Sequence, residues 1–256
     1  MRSFQELASL TGRGALVVGG SGHLGRLACD TLLELGAEVA SADLPSIEAP
    51  SGVASFAVDL QEEASTRNLI PQVVDDLGRL DVVIHCAGYT GDVNASGWAT
   101  DYEGQTVEEW DRAYRVNTTS AFVLAQEARA ALSRSKAGSL VLLSSIYGFL
   151  APDPRLYCGT KLRSPAGYGA SKAALLQLTR HLATFLAPDV RVNAISPGGV
   201  FRSQDPTFVE RYEAGTPLGR LATEEDVKGA IAYLASDLSA YVTGTNLVVD
   251  GGRSSW

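Results

Sequence analysis

The chain has 256 residues and a formal net charge of -8 without a basic cluster, which argues against nucleic acid or an anionic membrane as its main partner. This length, with no Pro/Ser-rich linker, predicts a single domain over residues 1–256 that binds a small molecule. The N-terminal segment has no apolar signal region and no apolar run approaches membrane-spanning length, so we expect a cytoplasmic protein.

Seven short apolar runs bounded by Gly or Asp predict β-strands at 15–18, 38–43, 55–60, 81–88, 139–145, 190–196 and 246–250. Longer amphipathic stretches between them predict helices near 22–35, 61–77, 106–134, 168–187 and 224–236. Continuous apolar strands that alternate with helices are typical of a parallel sheet covered on both faces, the doubly wound α/β fold. In such sheets ligands bind beyond the carboxyl ends of the strands, at the point where the strand order reverses.

The first predicted strand runs into a glycine-rich turn that favours nucleotide binding. The spacing Gly20-x-Gly22-x-x-Gly25 allows a tight reversal, close approach of the backbone to a pyrophosphate, and N–H groups aimed at the anion from a helix N-terminus. Asp43 ends the second strand 18 residues after Gly25, near the spacing of an acid that binds an adenosine ribose. Its carboxylate would repel a 2′-phosphate, which favours NAD over NADP, although Arg26 is close in sequence. If Asp43 only caps a turn, the choice between NAD and NADP stays undecided.

The predicted helix near 106–134 carries a polar residue within its apolar stripe. Asn117 falls among side chains at helical spacing, where an amide buried without partners would cost a few kcal/mol. It therefore either satisfies nearby backbone groups or belongs to a polar site.

The cysteines and histidines lack the spacing of a metal site or a disulfide framework. We predict no metal, and we interpret the thiols as reduced core residues. These residues are Cys29, Cys86, Cys158, His23, His85 and His181.

Two copies of Tyr-x-x-x-Lys occur close together, Tyr157 to Lys161 and Tyr168 to Lys172. On a helix this spacing places phenol and ammonium on one face, where the charge turns a group of pKa about 10 into a proton donor or acceptor usable near neutrality. Pro165, Gly159 and Gly167 make a sustained helix around the first copy improbable, so we predict that Tyr157 lies in a loop. The second copy opens a long run without Gly or Pro, which predicts a buried helix.

An ordered series of motifs over the whole chain resembles the short-chain dehydrogenase/reductase family. The motifs are GGSGHLG at 19–25, Asp59-Leu60, CAG at 86–88, Asn117, Ser144-Ser145, YGASK at 168–172, NAISPGGV at 193–200, and the segments TPLGR, EEDV, LASD, YVTG and VVDGG between 216 and 252. The resemblance implies a Rossmann-type sheet, a nicotinamide cofactor, and hydride transfer between an alcohol and a carbonyl. It also implies a homodimer or homotetramer, because similar proteins pair the helix corresponding to 168–187 across a two-fold axis.

The same resemblance implies the site residues. The catalytic set would be Asn117, Ser145, Tyr168 and Lys172. Tyr168 would take up or donate the substrate proton, and Lys172 and the nicotinamide charge would lower the pKa of Tyr168. Ser145 would bind the reacting oxygen, and Asn117 would position a water of the proton relay. The expected cofactor contacts are Gly19, Ser21, Gly22, His23, Leu24, Gly25, Asp43, Asp59, Leu60, Cys86, Ala87, Gly88, Tyr168, Lys172, Pro197, Gly198 and Val200.

The spacings to other family motifs do not agree on which of the two tyrosines is catalytic. Ser145 lies 12 residues before Tyr157, close to the family separation, and 23 before Tyr168. The distance from Lys172 to Pro197, however, matches similar proteins. Together with the helix prediction this favours the second copy, so residues 147–166 are interpreted as an insertion at the active-site rim.

Three positions depart from the commonest family pattern. His23 stands where many members have Gly, and His85 begins a segment that usually reads Asn-Asn-Ala-Gly. These two positions correspond to contacts with pyrophosphate and adenine in similar proteins. Arg202 replaces a hydroxyl that often contacts the nicotinamide carboxamide, unless Ser203 substitutes for it.

The substrate is less closely specified. Tyr157, Arg155, Lys161 and Arg163 of the insertion, with Arg202 of a loop near 198–217, are candidate substrate contacts. Their charge suggests an anionic group, whereas solvated loop charges are the simpler interpretation. GWA at 97–99, SSIYG at 144–148 and YCGT at 157–160 look like a subgroup of bacterial surface-sugar biosynthesis, which favours a sugar-like substrate. A 3-oxoacyl thioester reductase, a generic secondary-alcohol dehydrogenase and a non-catalytic NAD-binding regulator are alternatives.

Overall fold

The sheet is parallel throughout and confirms the doubly wound α/β prediction. The computed structural model describes residues 1–90, 96–160 and 163–256. Its strands are β1 Gly14–Val18, β2 Glu38–Asp43, β3 Ala54–Ala57, β4 Val82–His85, β5 Gly138–Leu143, β6 Val190–Pro197 and β7 Asn246–Val249. They lie in the order β3-β2-β1-β4-β5-β6-β7, and every neighbouring pair is parallel. The order reverses between β1 and β4, where this fold binds its ligands.

Helices cover both faces of the sheet. They are α1 Phe4–Ala8, α2 His23–Glu34, α3 Glu63–Leu77, α4 Val107–Tyr114, α5 Ser120–Arg134, α6 Ala166–Phe185, α7 Pro206–Ala214 and α8 Glu225–Ala235. Successive residues of β1 point to opposite faces: Leu16 and Val18 join a core with α3, α5 and α6, while Ala15 and Val17 join a core with α2 and α8.

Helices α1 and α7 were not predicted. Helix α1 has no buried residue, so it shows no apolar stripe, and its sign in the sequence is the capping box of Ser3 and Glu6. Helix α7 starts at Pro206, where the Asp205 carboxylate accepts a hydrogen bond of 2.8 Å from Thr207 N. Both helices are therefore marked by their caps rather than by their periodicity.

The predicted helix near 106–134 is interrupted. A π-helical turn, Arg115–Thr119, separates α4 from α5, so the uniform helical stripe drawn through Asn117 was wrong. Ser120 Oγ donates a hydrogen bond of 2.6 Å to Val116 O inside this turn. A hydroxyl that competes for a backbone carbonyl in this way disturbs regular helical hydrogen bonding.

Helix α6 begins at Ala166 and includes Gly167, which was interpreted as a helix breaker. A Cβ on Gly167 would lie 3.3 Å from the Trp110 Cα, so the glycine lets α6 approach α4 closely. Its role is packing between two helices. No helix in the described ranges combines the length and apolarity needed to cross a membrane.

The thiols were only partly predicted. Cys29 is buried in the core and Cys86 packs against it, as expected, but Cys158 is exposed on the insertion. All three are free in the described part of the chain. Cys158 is therefore not a core thiol.

Two helical glycines should respond oppositely to alanine. Gly167→Ala should lower the free energy of unfolding by about 1 kcal/mol, because the new methyl group meets the Trp110 backbone. Gly229→Ala in α8 is the control: a Cβ there has nothing within 4 Å among the described residues, so the variant should gain about 0.5–1 kcal/mol. Urea unfolding of both variants measures the difference, and equal stabilisation would contradict the packing role of Gly167.

Candidate active site

The turn after β1 is closely packed backbone. A Cβ on Gly25 would lie 2.0 Å from Gly19 O, and Gly19 itself has a φ of +77°. Helix α2 follows directly, with Gly22 as its N-cap and no side-chain cap among the described residues, so the N–H groups of its first turn face outward from the turn. The turn has the shape that brings backbone N–H groups to an anion.

A buried hydroxyl in this turn fits the same ligand. Ser21 is 8% exposed, and its Oγ has no hydrogen-bond partner among the described residues. A buried polar atom without a partner is uncommon, and a phosphate oxygen would satisfy it. The residues present therefore fit the phosphates of a dinucleotide cofactor.

Asp43 lies at the same turn, at the end of β2. Its Oδ2 accepts a hydrogen bond of 3.0 Å from Ser21 N, and its Oδ1 accepts one of 2.9 Å from Leu44 N. Asp43 thus caps a turn and also stands beside the phosphate cradle. Arg26 donates from Nε to Ser21 O at 2.9 Å and from Nη2 to Glu48 O at 2.7 Å, so its guanidinium is held against backbone carbonyls.

Two of the expected cofactor contacts, Asp59 and Leu60, lie in the loop after β3. Asp59 Oδ1 accepts a hydrogen bond of 2.9 Å from Gln61 N, and Leu60 is buried in the core. Leu24, another expected cofactor contact, packs on the core of α2 and α8. The side chains of Leu60 and Leu24 therefore contribute to the packing of the fold.

Lys172 of α6 is buried at the carboxyl end of β5. It is 3% exposed, and its Nζ donates a hydrogen bond of 2.8 Å to Leu143 O. Burial lowers the pKa of Lys172 to about 8. Nζ lies 5.8 Å from the centre of the Tyr168 ring, and a Cβ on Gly88 would lie 3.4 Å from Nζ. The carboxyl ends of β4 and β5 thus meet at this ammonium.

Asn117 lies beside Lys172, and both ends of its side-chain amide have hydrogen-bond partners. Its Oδ1 accepts a hydrogen bond of 2.6 Å from Tyr89 N, and its Nδ2 donates one of 2.8 Å to Ser171 Oγ. A Cβ on Gly88 would lie 3.8 Å from this Oδ1, which is close to Lys172 Nζ as well. Both alternatives for the buried amide therefore hold: it bonds backbone, and it borders a polar site.

Ser145 and Tyr168 complete the cluster. Ser145 is near enough to the Tyr168 phenol to lower its pKa, but burial is the larger cause and raises that pKa. The lowering expected from Lys172 is therefore not seen in the chain alone. Ser144, the other member of the pair, donates to Lys172 O at 2.8 Å, so it supports the helix.

Tyr157 ends a short 3-10 turn, Pro154–Tyr157, so it is not on an α-helix. Its hydroxyl lies 2.9 Å from the Tyr147 hydroxyl, and its ring centre lies 5.6 Å from that of Phe208 in α7. Charge repulsion from Tyr157 also raises the pKa of Tyr168, which places the two phenols near each other. Lys161, the other half of this copy, lies outside the described residues.

A cavity of about 850 Å³ lies between the insertion and the outward face of α6. Its lining is mainly apolar and includes Tyr147, Leu150, Tyr157 and Ala170. Tyr147 N donates a hydrogen bond of 3.2 Å to Ser145 Oγ, so the cavity wall connects directly to the hydroxyl cluster.

The candidate substrate cations are paired with carboxylates. Arg155 contacts Asp153 at 2.8 Å, Arg163 contacts Asp101 at 2.8 Å, and Arg202 contacts Glu224 at 2.7 Å. The local positive excess that suggested an anionic substrate is thus neutralised at these three residues. Their partners are distant in sequence except for Asp153, so composition could not reveal them.

The two histidines that depart from the family pattern have different environments. His85 is fully buried, and its Nε2 lies 2.7 Å from Ser120 Oγ, which leaves it no surface for adenine. Burial lowers the pKa of His85 to about 3, so the ring is neutral. His23 is exposed, and its Nδ1 lies 3.8 Å from Glu224 Oε1.

Three structural residues of the site were not among the predicted site residues, although Tyr147 and Glu224 lie within the motifs SSIYG and EEDV. Tyr212 of α7 accepts a hydrogen bond of 2.5 Å from Gly199 N, which fixes the backbone after β6. Tyr147 and Glu224 act through contacts with residues far away in the chain or in the insertion. A lone Tyr or Glu has no local pattern that marks such contacts.

Comparisons with known proteins show the family of this chain. A family model of the short-chain dehydrogenase class, described as enoyl-(acyl carrier protein) reductase, matches residues 23–254. The chain belongs to the short-chain dehydrogenase/reductase family. It is accordingly an oxidoreductase of the kind that acts on CH–OH groups.

Relatives of this dehydrogenase/reductase differ in cofactor and substrate. It is 31% identical to an NADP-dependent mannitol dehydrogenase of Alternaria alternata, over 97% of this chain and 94% of that protein. It is 32% identical to a rhamnolipids biosynthesis 3-oxoacyl-[acyl-carrier-protein] reductase of Pseudomonas aeruginosa, over 95% and 97%. A solved short-chain dehydrogenase of Leptospira borgpetersenii serovar Hardjo-bovis with bound NAD+ is 31% identical and superposes with a TM-score of 0.85, over 99% and 96%.

The buried ammonium should make the stability of this dehydrogenase/reductase depend on pH. Because the pKa of Lys172 is about 8 in the folded chain and 10.5 ordinarily, the unfolded chain binds more protons between these values. The free energy of unfolding of wild type relative to Lys172→Met should therefore rise with pH above about 8, by up to about 3 kcal/mol. Urea unfolding of both proteins from pH 7 to 10 measures the trend, and a constant difference would contradict it.

Proposed function

We propose that this short-chain dehydrogenase/reductase interconverts a secondary alcohol and its carbonyl with Tyr168 as the acid–base group. The observation that carries the proposal is the convergence of Tyr168, Ser145, Lys172 and Asn117 at the carboxyl ends of β4 and β5. When bound, the nicotinamide cofactor accepts or supplies a hydride at its C4 atom.

Within this scheme Tyr168 takes the substrate hydroxyl proton during oxidation and returns it during reduction. Ser145 donates a hydrogen bond to the reacting oxygen and stabilises the charge that develops there. This assignment is supported by the proximity of Ser145 to the Tyr168 phenol, whose pKa it lowers.

Lys172 and Asn117 support the proton transfer in the proposal. The ammonium of Lys172 favours the Tyr168 phenolate and would hold the nicotinamide ribose. Asn117 would position a water that extends the relay from Lys172, and its bonds to Tyr89 and Ser171 hold the π-helical turn in place for that task. In the working enzyme, the pKa of Tyr168 then lies above or below its ordinary value according to how far the positive charges of Lys172 and the nicotinamide offset the effect of burial.

The cofactor is proposed to be NAD, on the strength of the Asp43 carboxylate beside the phosphate cradle. The relatives include an NADP-dependent enzyme and a structure with NAD+, so they support a nicotinamide cofactor without choosing between the two. Arg26 is the competing feature, but its guanidinium is engaged by two carbonyls.

Replacing Asp43 should shift the cofactor preference. Asp43→Ser should reduce the ratio of NAD to NADP affinity by about tenfold, since the ribose acceptor is lost and the repulsion of a 2′-phosphate disappears. Isothermal titration with NAD+ and NADP+ measures the ratio, and thermal unfolding checks that the turn is intact. An unchanged ratio in a folded variant would assign Asp43 to turn capping alone.

For the substrate we propose a hydroxylated, sugar-like compound that reaches Tyr168 past the insertion. The motifs of the surface-sugar subgroup and the likeness to a mannitol dehydrogenase support it. An anionic substrate has less support, because Arg155, Arg163 and Arg202 are each paired. A 3-oxoacyl thioester is the second candidate, favoured by the mainly apolar cavity and by the 32% identical reductase.

A non-catalytic NAD-binding regulator is the alternative from another class, and the converged set of four residues argues against it. Absorbance of NADH during incubation with polyols, sugars and 3-oxoacyl thioesters separates these functions. Turnover of polyols or sugars supports the first candidate, and turnover of thioesters supports the second. No turnover with any member of the panel, despite NAD binding, supports the regulator.

We further propose a cytoplasmic homodimer or homotetramer that associates through α5 and α6. Phe122 of α5 is 44% exposed and Phe185 of α6 is 67% exposed, and exposed aromatic side chains on neighbouring helices favour association. A monomeric mass in sedimentation at micromolar concentration would contradict this.

The two tyrosines should differ sharply when each loses its hydroxyl. Tyr168→Phe should lower kcat by about 10²–10⁴-fold while NAD affinity stays within about threefold, because only proton transfer is lost. Tyr157→Phe is the matched control: it removes the contact with Tyr147 and should alter KM more than kcat. Comparable activity of Tyr168→Phe and wild type would overturn the assignment.

A further inference from the structure

Glu224 connects two loops at the entrance to the phosphate cradle. Its Oε1 lies 2.7 Å from Arg202 Nη1 and 3.8 Å from His23 Nδ1. His23 is the first residue of α2, directly after the glycine turn, whereas Arg202 lies in the loop after β6. One carboxylate oxygen therefore contacts the phosphate-binding turn and the loop opposite it.

Backbone pairing holds Glu224 and Arg202 in this position. Phe201 N donates to Ala222 O at 2.8 Å, and Ala222 N donates to Gly199 O at 2.9 Å, so the two segments form a short parallel bridge. Arg202 follows one of these segments and Glu224 the other. The fold thus brings the two side chains within reach of each other.

A separate cluster fixes the segment before Glu224. Asp226 accepts hydrogen bonds from Arg220 Nη1 at 2.6 Å, from Arg220 Nη2 at 2.7 Å and from Thr223 N at 2.7 Å. Helix α8, which Glu224 precedes, packs on α2 in the shared core, and Lys228 Nζ contacts Glu34, the last residue of α2, at 2.7 Å. The contact of Glu224 with His23, the first residue of α2, places the start of α8 near the start of α2.

This arrangement puts the negative charge of Glu224 beside the glycine turn, which is suited to binding an anionic pyrophosphate. The turn of Gly19 to Gly25 and the unpartnered Ser21 Oγ fit a pyrophosphate, and a carboxylate at this place would repel it. Arg202 is the cation paired with this carboxylate, and its side chain is 25% exposed. A partly exposed ion pair contributes little to stability, so cofactor phosphates would displace Glu224 at small cost.

We propose that Arg202 binds the pyrophosphate of the cofactor and that Glu224 is the carboxylate that holds Arg202 in the free protein. Cofactor binding then exchanges one partner of the guanidinium for another, and Glu224 weakens binding both by this competition and by repulsion. The inference rests on the proposed function, because it assumes a nicotinamide dinucleotide at the glycine turn. It assigns to the cofactor a residue that the sequence had suggested for the substrate.

Arg202 occupies the position of a hydroxyl that often contacts the nicotinamide carboxamide in similar proteins. A contact with that carboxamide is the competing assignment, and it makes a different prediction for a ligand that lacks nicotinamide. Adenosine diphosphate ribose retains the pyrophosphate and both riboses, so it distinguishes the two assignments.

The experiment is calorimetric titration of NAD+, NADP+ and adenosine diphosphate ribose into wild type and variants. Glu224→Gln should lower the Kd of all three ligands by about three- to tenfold, since it removes the competing charge and the repulsion. Arg202→Gln should raise the Kd of all three by about tenfold, because a charge-assisted contact with the pyrophosphate is lost. In the Arg202→Gln background, Glu224→Gln should yield a smaller gain than it does in wild type.

Glu225→Gln is the matched control, because it makes the same change in net charge at the same end of α8. Glu225 is exposed, and its variant should change each Kd by less than about twofold. An equal gain in both variants would show a general charge effect and overturn the specific role of Glu224.

Two further outcomes would overturn the inference. If Glu224→Gln weakens binding, Glu224 is a structural tie of the loop. If Arg202→Gln weakens NAD+ and NADP+ but not adenosine diphosphate ribose, Arg202 contacts the carboxamide. Failure of wild type to bind any of the three ligands would overturn the proposed function together with this inference, whereas normal wild-type binding and turnover with unaltered variants would overturn the inference alone.

Discussion

The candidate site depends on one buried cation. The Lys172 ammonium is almost fully withdrawn from solvent, and it is held by the Leu143 carbonyl at the end of β5. Removing such a group from water has a large cost unless hydrogen bonds and nearby charges compensate for it, and the depressed pKa shows that compensation in the chain alone is incomplete. An anionic phenolate at Tyr168 would supply the missing negative charge near the Lys172 ammonium. Burial of the lysine would therefore favour the ionisation of Tyr168 that the proposed mechanism requires.

The backbone around Lys172 is irregular where it has to admit this cation. The π-helical turn places Asn117 between Tyr89 and Ser171, and Ser171 precedes Lys172 on α6. Gly88 leaves open the space next to Nζ, since any Cβ there would come within 3.4 Å. A regular α-helix would carry Asn117 elsewhere on its surface and would break both amide contacts. The π-helical turn thus breaks the regular helix and in doing so fixes the position of Asn117 near the Lys172 ammonium.

Local patterns predicted the parts of this molecule that local chemistry determines. The glycine turn, the buried strands and the helix that carries Tyr168 and Lys172 follow from short spacings and from the absence of Gly and Pro after Lys172. The π-helical turn was missed because it depends on contacts of Asn117 with Tyr89 and Ser171, which are 28 and 54 residues away. The ion pair of Arg202 was missed for the same reason, since only the bridge between Val200 and Ala222 brings Glu224 to it. Such long-range contacts override what a residue's neighbours in sequence suggest.

Tyr157 and Tyr147 present neutral hydrogen-bonding groups at the cavity wall. Tyr157 ends a short 3-10 turn rather than lying on an α-helix, and its hydroxyl shares a hydrogen bond with that of Tyr147. Burial raises the pKa of Tyr147, so Tyr147 offers a hydroxyl group rather than a charge. The described arginines of the insertion are engaged by Asp153 and Asp101, which removes fixed positive charge from the same wall. This wall therefore offers shape and neutral hydrogen bonds, a chemistry that suits the hydroxyl-bearing or apolar substrates proposed above better than anions.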